Sequence, residues 1–272
     1  MLKQAIIPLA GLGTRLLPLS SITPKELLPI NGKANLEYIL DECIEAGIKE
    51  FIFVISKKKE SIKKYFCNDK FYKSILEKKK DKRIKDVFDK LKKYKKMIKF
   101  VYQNDPKGSG DAILKCRNYI KHSHFLMLFP DDLIFKKNCS KEMIALHKKT
   151  KGSIIATKIV KKETVTRWGI LSLKNKKNNY FTIKDVVEKP SIKNAPSNYA
   201  IIGRYILPRT IMHNLKNLKP GQGGEIHITD GIKQLIKSGE KFYGNIFKGK
   251  YLDCGTLSGY INSGRTLAKE KK

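Results

Sequence analysis

The chain has 272 residues, 41% of them hydrophobic, which is enough material for one large buried core or two small ones. No apolar run approaches the ~20 residues of a membrane-spanning helix, and no secretory signal is recognisable, so we expect a cytoplasmic protein with no membrane anchor. The net charge of +32 raises nucleic-acid binding as a hypothesis, but the lysines are spread along the chain without interleaved aromatic residues, so we expect no specific nucleic-acid partner.

Strand-like and helical patterns alternate through the first half of the chain. Strands are expected at Gln4–Leu9, Glu50–Ser56, Met97–Gln103 and His124–Phe129. Helices are expected at Leu36–Ala46 and Asp111–Ile120, and two or three more in a lysine-rich insertion at about 59–96. Apolar strands that alternate with helices predict a parallel sheet covered on both faces. In such sheets ligands bind at the carboxyl ends of the strands, so the loops after the strands are the candidate functional regions.

The second half of the chain is richer in strands. These are expected at Ser153–Val160, Ile170–Leu173, Phe181–Val187, Ala200–Leu207 and Lys241–Phe247. Helices are expected at about Thr229–Ser238 and from about Leu257 onward. No Pro-, Gly- or Ser-rich linker separates the halves, so we predict one domain over residues 1–272. Its fold is expected to be α/β and Rossmann-like, with a mixed, mainly parallel sheet flanked by helices.

A glycine-containing loop follows the first strand, with the sequence Gly11-Leu12-Gly13-Thr14-Arg15. A dinucleotide-binding loop would need a third glycine where Leu16 stands, and the Gly-Lys-Ser/Thr of a P-loop is absent. Glycines let backbone N–H groups approach an anion, and the Arg15 guanidinium adds a permanently charged fork of donors. The loop is therefore a candidate phosphate site, with a purely structural turn as the alternative.

A lysine between prolines follows, in Pro24-Lys25-Glu26-Leu27-Leu28-Pro29. Proline restricts the backbone on both sides of Lys25. A lysine that holds a reacting phosphate needs such rigidity, because a misplacement of about 1 Å can cost ~100-fold in rate. Lys25 is therefore a candidate catalytic residue.

Two carboxylates stand at the end of the buried strand His124–Phe129, in Pro130-Asp131-Asp132. A carboxylate at the carboxyl end of a parallel strand is costly unless it is solvated or bound to a metal. Oxygen ligands beside phosphates favour Mg²⁺, and an Asp-Asp turn is the alternative.

Four further stretches carry candidate binding residues. Gln103 ends a strand and could read a base edge with its amide, and Gly108 follows it in a glycine-rich loop. The others are "VVEKP" (Val186–Pro190), "GGEIHITD" (Gly223–Asp230) and "YLDCGT" (Tyr251–Thr256). Taken singly, each of these stretches is more often an ordinary loop than a binding site.

Taken together, these motifs resemble the sugar-1-phosphate nucleotidyltransferases over the whole chain. Within that family, "PKELLPI", the helical insertion, "APSNYAIIGRYIL" and "GGEIHITD" resemble the branch that joins UTP to glucose 1-phosphate. The resemblance implies Mg²⁺ as cofactor, UTP and glucose 1-phosphate as substrates, and a homo-oligomer, either a dimer or a tetramer.

The resemblance also implies a role for each matching position. The nucleotide would be bound by Ala10, Gly11, Gly13, Thr14, Gln103 and Gly108. The catalytic cations would be Arg15, Lys25 and Lys189. The sugar would contact Gly169, Glu188 and Gly203. The metal would be bound by Asp131, with Asp253 as a candidate second ligand.

Some positions depart from the usual pattern of the family. Gly108-Ser109-Gly110-Asp111-Ala112 stands in place of the commoner Gly-Leu-Gly-His-Ala, and Trp168 stands in place of Tyr. Three alternatives therefore stay open: the same chemistry with dTTP or CTP, nucleotide binding without turnover, and a basic nucleic-acid-binding protein on this fold.

Overall fold

A nine-stranded mixed sheet forms the centre of the structure, a computed structural model that describes residues 2–221 and 224–270. The strands of this sheet are β1 (Gln4–Pro8), β4 (Glu50–Ile55), β5 (Ile98–Tyr102), β6 (His124–Leu128), β8 (Ser153–Ile159), β9 (Gly169–Lys174), β10 (Tyr180–Glu188), β11 (Tyr199–Pro208) and β12 (Phe242–Ile246). Two small ladders are formed by β2 (Pro29–Ile30) with β3 (Lys33–Ala34), and by β7 (Asp132–Phe135) with β13 (Lys250–Asp253).

The sheet has the order β5-β4-β1-β6-β11-β8-β12-β10-β9. β5, β4, β1 and β6 are mutually parallel, and β8 is parallel to β12, whereas β11 and β10 run against their neighbours. At the far end the sheet curls, so that Ile170 of β9 returns to pair with Ala200 of β11. The predicted fold class, a mixed and mainly parallel sheet, is confirmed.

Helices cover both faces of the sheet. They are α1 (Asn35–Glu45), α2 (Glu60–Cys67), α3 (Asp69–Lys78), α4 (Lys82–Met97), α5 (Ser109–Lys115), α6 (Cys139–Thr150), α7 (Ile211–Lys216), α8 (Ile228–Lys237) and α9 (Leu257–Lys269). None of these helices, over the residues described, is long and apolar enough to cross a membrane.

The alternation of side chains along the strands creates two separate cores. In β1, Ala5 and Ile7 face the core under α1, α2, α4, α6 and α9, whereas Ile6 faces the core under α5, α7 and α8. In β4, Phe53 faces the first of these cores and Val54 faces the second. Strands that are apolar on both faces are therefore buried between two helical layers, as the near-continuous apolar runs predicted.

The lysine-rich segment consists of the three helices α2, α3 and α4. Its apolar face packs on the first core through Phe66 and Tyr94, whose rings meet edge to face at 6.1 Å. The side chain of Asp81 accepts a hydrogen bond from the N–H of Arg83 and so caps the start of α4. Most lysines of these three helices are exposed, whereas Lys63, Lys90 and Lys95 are half-buried.

Three features differ from the expectations. The helix predicted at Asp111–Ile120 ends at Lys115, because the next N–H groups bond three residues back and tighten the chain into turns. The helices α6 and α7 were not predicted. The β7–β13 ladder was also missed, since its two strands are far apart in sequence and neither has a long apolar run.

Candidate active site

A cleft of about 820 Å³ lies where the chain leaves the carboxyl ends of β1, β5 and β6. The predicted site residues that line it are Ala10, Gly11, Thr14, Arg15, Lys25, Gln103, Gly108, Asp131, Gly169, Glu188, Lys189, Gly203 and Asp253. Parallel strands end at the same edge of the sheet, and this is why loops that are distant in sequence converge there.

Gly13, by contrast, is not among the residues that line the cleft. Its φ of +71° lies in the left-handed region, and its carbonyl accepts a hydrogen bond from the Ser20 hydroxyl at 2.8 Å. Gly13 therefore shapes the turn that presents its neighbours. The Arg15 side chain, 62% exposed, extends from this turn and is free to reach a ligand.

Lys25 and Asp131 form an ion pair in the cleft. Lys25 Nζ lies 2.7 Å from Asp131 Oδ2, and Arg15 Nη2 lies 3.5 Å from the same oxygen. Burial lowers the pKa of Lys25, but the charges of Asp131 and Glu26 outweigh it and raise this pKa overall. Burial raises the pKa of Asp131, but the Lys25 ammonium outweighs it and lowers this pKa overall. Both groups are therefore charged before any ligand binds.

The adjacent carboxylates of Asp131 and Asp132 point to different partners. Asp132 accepts hydrogen bonds from the N–H of Gly203 at 2.9 Å and from the Tyr251 hydroxyl at 2.6 Å. Burial, helped by the charge of Asp131, raises the pKa of Asp132 to about 6. Gly203 is needed at this contact, because a Cβ there would collide with Asp132 Oδ2. Asp132 therefore holds the loop, and Asp131 is the carboxylate that meets the cations.

A buried ion pair supports this loop from behind. The guanidinium of Arg204, which is fully buried in β11, donates to both carboxylate oxygens of Glu42 in α1. It also donates to the backbone carbonyl of Asp132. Sequence reasoning missed this pair; the available signal was an arginine inside an otherwise apolar strand.

Asp131 and Asp253 approach each other around Gly255. A Cβ on Gly255 would lie 2.7 Å from Asp131 Oδ2 and 3.3 Å from Asp253 Oδ1. The N–H of Cys254 bonds the carbonyl of Asp131 at 2.8 Å and ties the two loops together. No group of three or more metal-binding side chains exists in the described part of the chain. Mg²⁺ beside phosphates uses one or two carboxylates and the phosphates themselves, so the donor set present fits that ion.

On another side of the cleft, Gly169 at the start of β9 pairs with Glu188 at the end of β10. A Cβ on Gly169 would lie 3.1 Å from Glu188 Oε2 and 3.0 Å from Ile201 Cδ1. Lys189 has a φ of +42°, and its N–H is held by the carbonyl of Trp168 at 3.0 Å. Backbone strain of this kind at a non-glycine residue is typical of functional sites.

Gln103 and Gly108 lie together on the side of the cleft formed by the end of β5 and the start of α5. Gly108 has a φ of +98°, and a Cβ there would lie 2.6 Å from the carbonyl oxygen of Ile226. Only glycine fits this approach, so the glycine-rich loop packs directly on the segment before α8.

The stretch Gly223–Asp230 is described from residue 224 onward, and Gly223 lies outside the described residues. Within it, Thr229 lines the cleft and is 5% exposed, and its hydroxyl has no hydrogen-bond partner among the described residues. Thr229 was not among the predicted site residues, because one threonine in the first turn of a helix carries no local signal.

The Nucleotidyl transferase family model matches residues 4–270, and the chain belongs to this family. A UTP–glucose-1-phosphate uridylyltransferase of Mycoplasma pneumoniae is 36% identical over 96% of this chain and 91% of its own length. A uridylyltransferase of the same name from Bacillus subtilis is 35% identical over 99% of this chain and 92% of its own.

Solved structures agree with this family. A UDP-glucose pyrophosphorylase complexed with UDP-glucose superposes with a TM-score of 0.86 at 35% identity, over 99% of this chain and 100% of the other. A UTP-bound UGPase from Acinetobacter baumannii superposes with a TM-score of 0.85 at 31% identity, over 99% and 94%.

Proposed function

We propose that the protein transfers a uridylyl group from UTP to glucose 1-phosphate and releases UDP-glucose and pyrophosphate. The relatives described above carry this activity in their names and align with nearly the whole chain. The observation on this chain that supports it most is the Lys25–Asp131 ion pair, 2.7 Å long, in a cleft that Gln103 and Glu188 also line.

The reaction makes one bond and breaks one bond. A phosphate oxygen of glucose 1-phosphate attacks the α-phosphorus of UTP, and the bond from that phosphorus to the leaving pyrophosphate breaks on the opposite side. The second pKa of a phosphate monoester is ~6, so the attacking oxygen is already ionised at neutral pH and needs no general base. The protein has to position the two substrates and neutralise their charge.

Three cations are proposed for this neutralisation. Lys25 would hold the reacting phosphates, Arg15 would follow the developing charge on the nucleotide, and Lys189 would bind the sugar phosphate. Their exposure fits these roles: the side chain of Lys25 is 15% exposed and fixed by Asp131, whereas those of Arg15 and Lys189 are 62% and 48% exposed and can reach an incoming anion.

The other residues of the site are assigned to the phosphates, the base or the sugar according to the side of the cleft on which they lie. Ala10, Gly11, Gly13 and Thr14 would form the backbone turn for the nucleotide phosphates, with Gly13 shaping it from outside the cleft wall. Gln103 and Gly108 would contact the base. Gly169, Glu188 and Gly203 would line the sugar site.

Members of this family generally use a divalent metal ion. We propose that the ion is Mg²⁺ and that Asp131 and Asp253 hold it. When bound, it would withdraw charge from the phosphate oxygens as a Lewis acid. The contribution of the chain is to hold the two carboxylates close together, with the small residue Gly255 between them.

The same proposal treats residues 1–272 as one nucleotidyltransferase domain with a lysine-rich helical insertion at about 59–96. It would act in the cytoplasm as a homo-oligomer, a dimer or tetramer, without a specific nucleic-acid partner. Light scattering on the purified protein would give the oligomeric state.

A nucleotide panel tests the activity. Pyrophosphate release is followed with glucose 1-phosphate and with UTP, dTTP or CTP, and we expect UTP to have the highest kcat/KM. A preference for dTTP or CTP would change the donor but not the chemistry. Nucleotide binding without release would indicate a non-catalytic protein. Absent transfer combined with salt-dependent binding to random DNA or RNA tighter than ~1 μM would favour the nucleic-acid alternative.

A further inference from the structure

The amide group of Gln103 is held by two acceptors. Its Nε2 lies 2.6 Å from Asp111 Oδ2 and 3.2 Å from the carbonyl oxygen of Gly108. Gln103 is 3% exposed and Asp111 is 8% exposed, so neither side chain exchanges these partners freely for water. Both N–H bonds of the amide are therefore used inside the protein.

These contacts determine which way the amide faces. A carboxylate and a backbone carbonyl accept hydrogen bonds and do not donate them, so the nitrogen of the amide must point toward both. Gln103 Oε1 then has no hydrogen-bond donor among the described residues. It is not among their fully buried unpaired polar atoms, so it is still accessible from outside the protein. Since Gln103 lines the cleft, Oε1 is the polar atom that this side chain offers to a ligand.

We propose that Asp111 is a specificity-determining positioning residue, which orients the Gln103 amide so that its acceptor Oε1, and not its donor Nε2, faces the base. This inference rests on the proposed base site, in which Gln103 contacts the nucleotide. Asp111 itself does not touch the base in this arrangement; it acts through Gln103.

The consequence is a selection among pyrimidines. Uracil and thymine carry an N–H at ring position 3, which Oε1 can accept, whereas cytosine has a lone pair at that position. With cytosine, the ring nitrogen and Oε1 would both be acceptors facing each other, and neither would have a hydrogen-bond donor. Two unpaired acceptors are costly in a buried site, so the site should discriminate strongly against CTP. Gln103 held in this way excludes CTP but does not separate UTP from dTTP.

The test compares kcat/KM for UTP and for CTP, with glucose 1-phosphate as the acceptor, in the whole protein. The variant Asp111→Leu keeps the branched shape of the side chain but accepts no hydrogen bond. Only the Gly108 carbonyl then holds Nε2, so the Gln103 amide can turn and offer Nε2 to the base. We expect the ratio of UTP to CTP to fall by at least ~10-fold, partly through a gain with CTP. General damage to the fold would lower both values together.

A control lies on the same helix, away from the cleft. Lys115, the last residue of α5, is exposed and does not line the cleft. Lys115→Ala therefore changes the same helix without reaching the base site and should leave the UTP to CTP ratio within about twofold.

The outcomes separate the inference from the base site on which it rests. If Gln103→Ala abolishes the discrimination but Asp111→Leu keeps it within about twofold, the orienting role of Asp111 is refuted and the base site stands. If Gln103→Ala leaves the ratio unchanged, the base is bound elsewhere and both proposals fall.

A measurement on the unmodified protein covers the case in which Asp111→Leu does not fold. 3-Methyl-UTP lacks the N–H at position 3, and we expect its kcat/KM to be at least ~100-fold below that of UTP. Use of 3-methyl-UTP within about threefold of UTP would overturn the proposed acceptor face.

Discussion

Glu26 and Lys59 form a buried ion pair directly beside Lys25. Lys59 Nζ lies 2.8 Å and 2.9 Å from the two carboxylate oxygens of Glu26, and the two side chains are 9% and 1% exposed. Burial lowers the pKa of Lys59, an effect that the charge of Glu26 opposes. The pair connects the loop of the predicted catalytic lysine to the first turn after β4. It should therefore affect both the stability of the fold and the position of Lys25.

Replacing Lys59 tests the structural importance of this pair. Lys59→Met keeps much of the volume but leaves the Glu26 carboxylate buried without a partner, which should cost about 3–5 kcal/mol of unfolding free energy. Urea denaturation measures this cost. The double variant Glu26→Met with Lys59→Met should recover most of it, whereas Lys95→Met, which breaks the half-exposed pair with Asp69, should leave the unfolding midpoint nearly unchanged. A loss below about 1 kcal/mol would show that the pair is not structural.

Lys25→Ala removes a charge fixed where the reacting phosphates are proposed to meet. We expect kcat/KM to fall by at least ~100-fold, or about 2.7 kcal/mol at ~1.36 kcal/mol per decade. Steady-state kinetics with both substrates measures this, and Lys95→Ala in α4, away from the cleft, should change little. Activity within a few-fold of the unmodified protein would remove Lys25 from the catalytic machinery.

Removing the metal tests the carboxylate pair. EDTA should abolish transfer and Mg²⁺ should restore it. Asp131→Ala should lose at least ~100-fold in kcat/KM, and Asp253→Asn should raise the Mg²⁺ concentration needed for half-maximal rate by at least ~10-fold. Asp69→Asn in α3 serves as the control, because Asp69 does not line the cleft. Full activity in EDTA would exclude the proposed metal role of both carboxylates.

Glu188→Ala should affect one substrate more than the other. Its carboxylate is proposed to accept hydrogen bonds from sugar hydroxyls, so the KM for glucose 1-phosphate should rise more than the KM for UTP. Initial rates over a grid of both substrates give the two values. Asp185 lies on the same strand but does not line the cleft, so the control variant Asp185→Ala should leave both KM values unchanged. The reverse pattern would assign Glu188 to the nucleotide side.

Gly203→Ala should destabilise the protein and slow the reaction. The added Cβ would collide with Asp132 Oδ2 and lie 2.7 Å from Phe129 Cβ, so the loop that carries Asp131 would have to move. We expect a loss of about 1–3 kcal/mol in thermal or urea unfolding, together with a lower kcat. In Gly264→Ala the new Cβ has nothing within 4 Å, and that variant should fold at least as stably. Equal behaviour of the two variants would contradict the packing argument at Gly203.

Much of this architecture follows from local patterns in the sequence. The apolar runs around Ile6, Phe53 and Met127 are buried on both faces, and they predicted a helix-covered sheet because side chains alternate along a strand. Parallel strands end at one edge, so the alternation of strands and helices was enough to predict that the loops with Arg15, Gln103 and Asp131 converge. The types of these residues already indicated phosphate and metal chemistry.

Only the tertiary structure decided which side chains meet. Lys25 and Asp131 are 106 positions apart, and Arg204 and Glu42 are 162 apart. Such pairs depend on strand order and register, which one sequence does not encode in any local pattern. For the same reason no local pattern separates Asp131 from Asp132, and only the family resemblance favoured Asp131. In the structure, the N–H of Gly203 and the Tyr251 hydroxyl hold Asp132, whereas the Lys25 ammonium meets Asp131. The sequence by itself determined which chemical groups are present; the topology determined which of them act together.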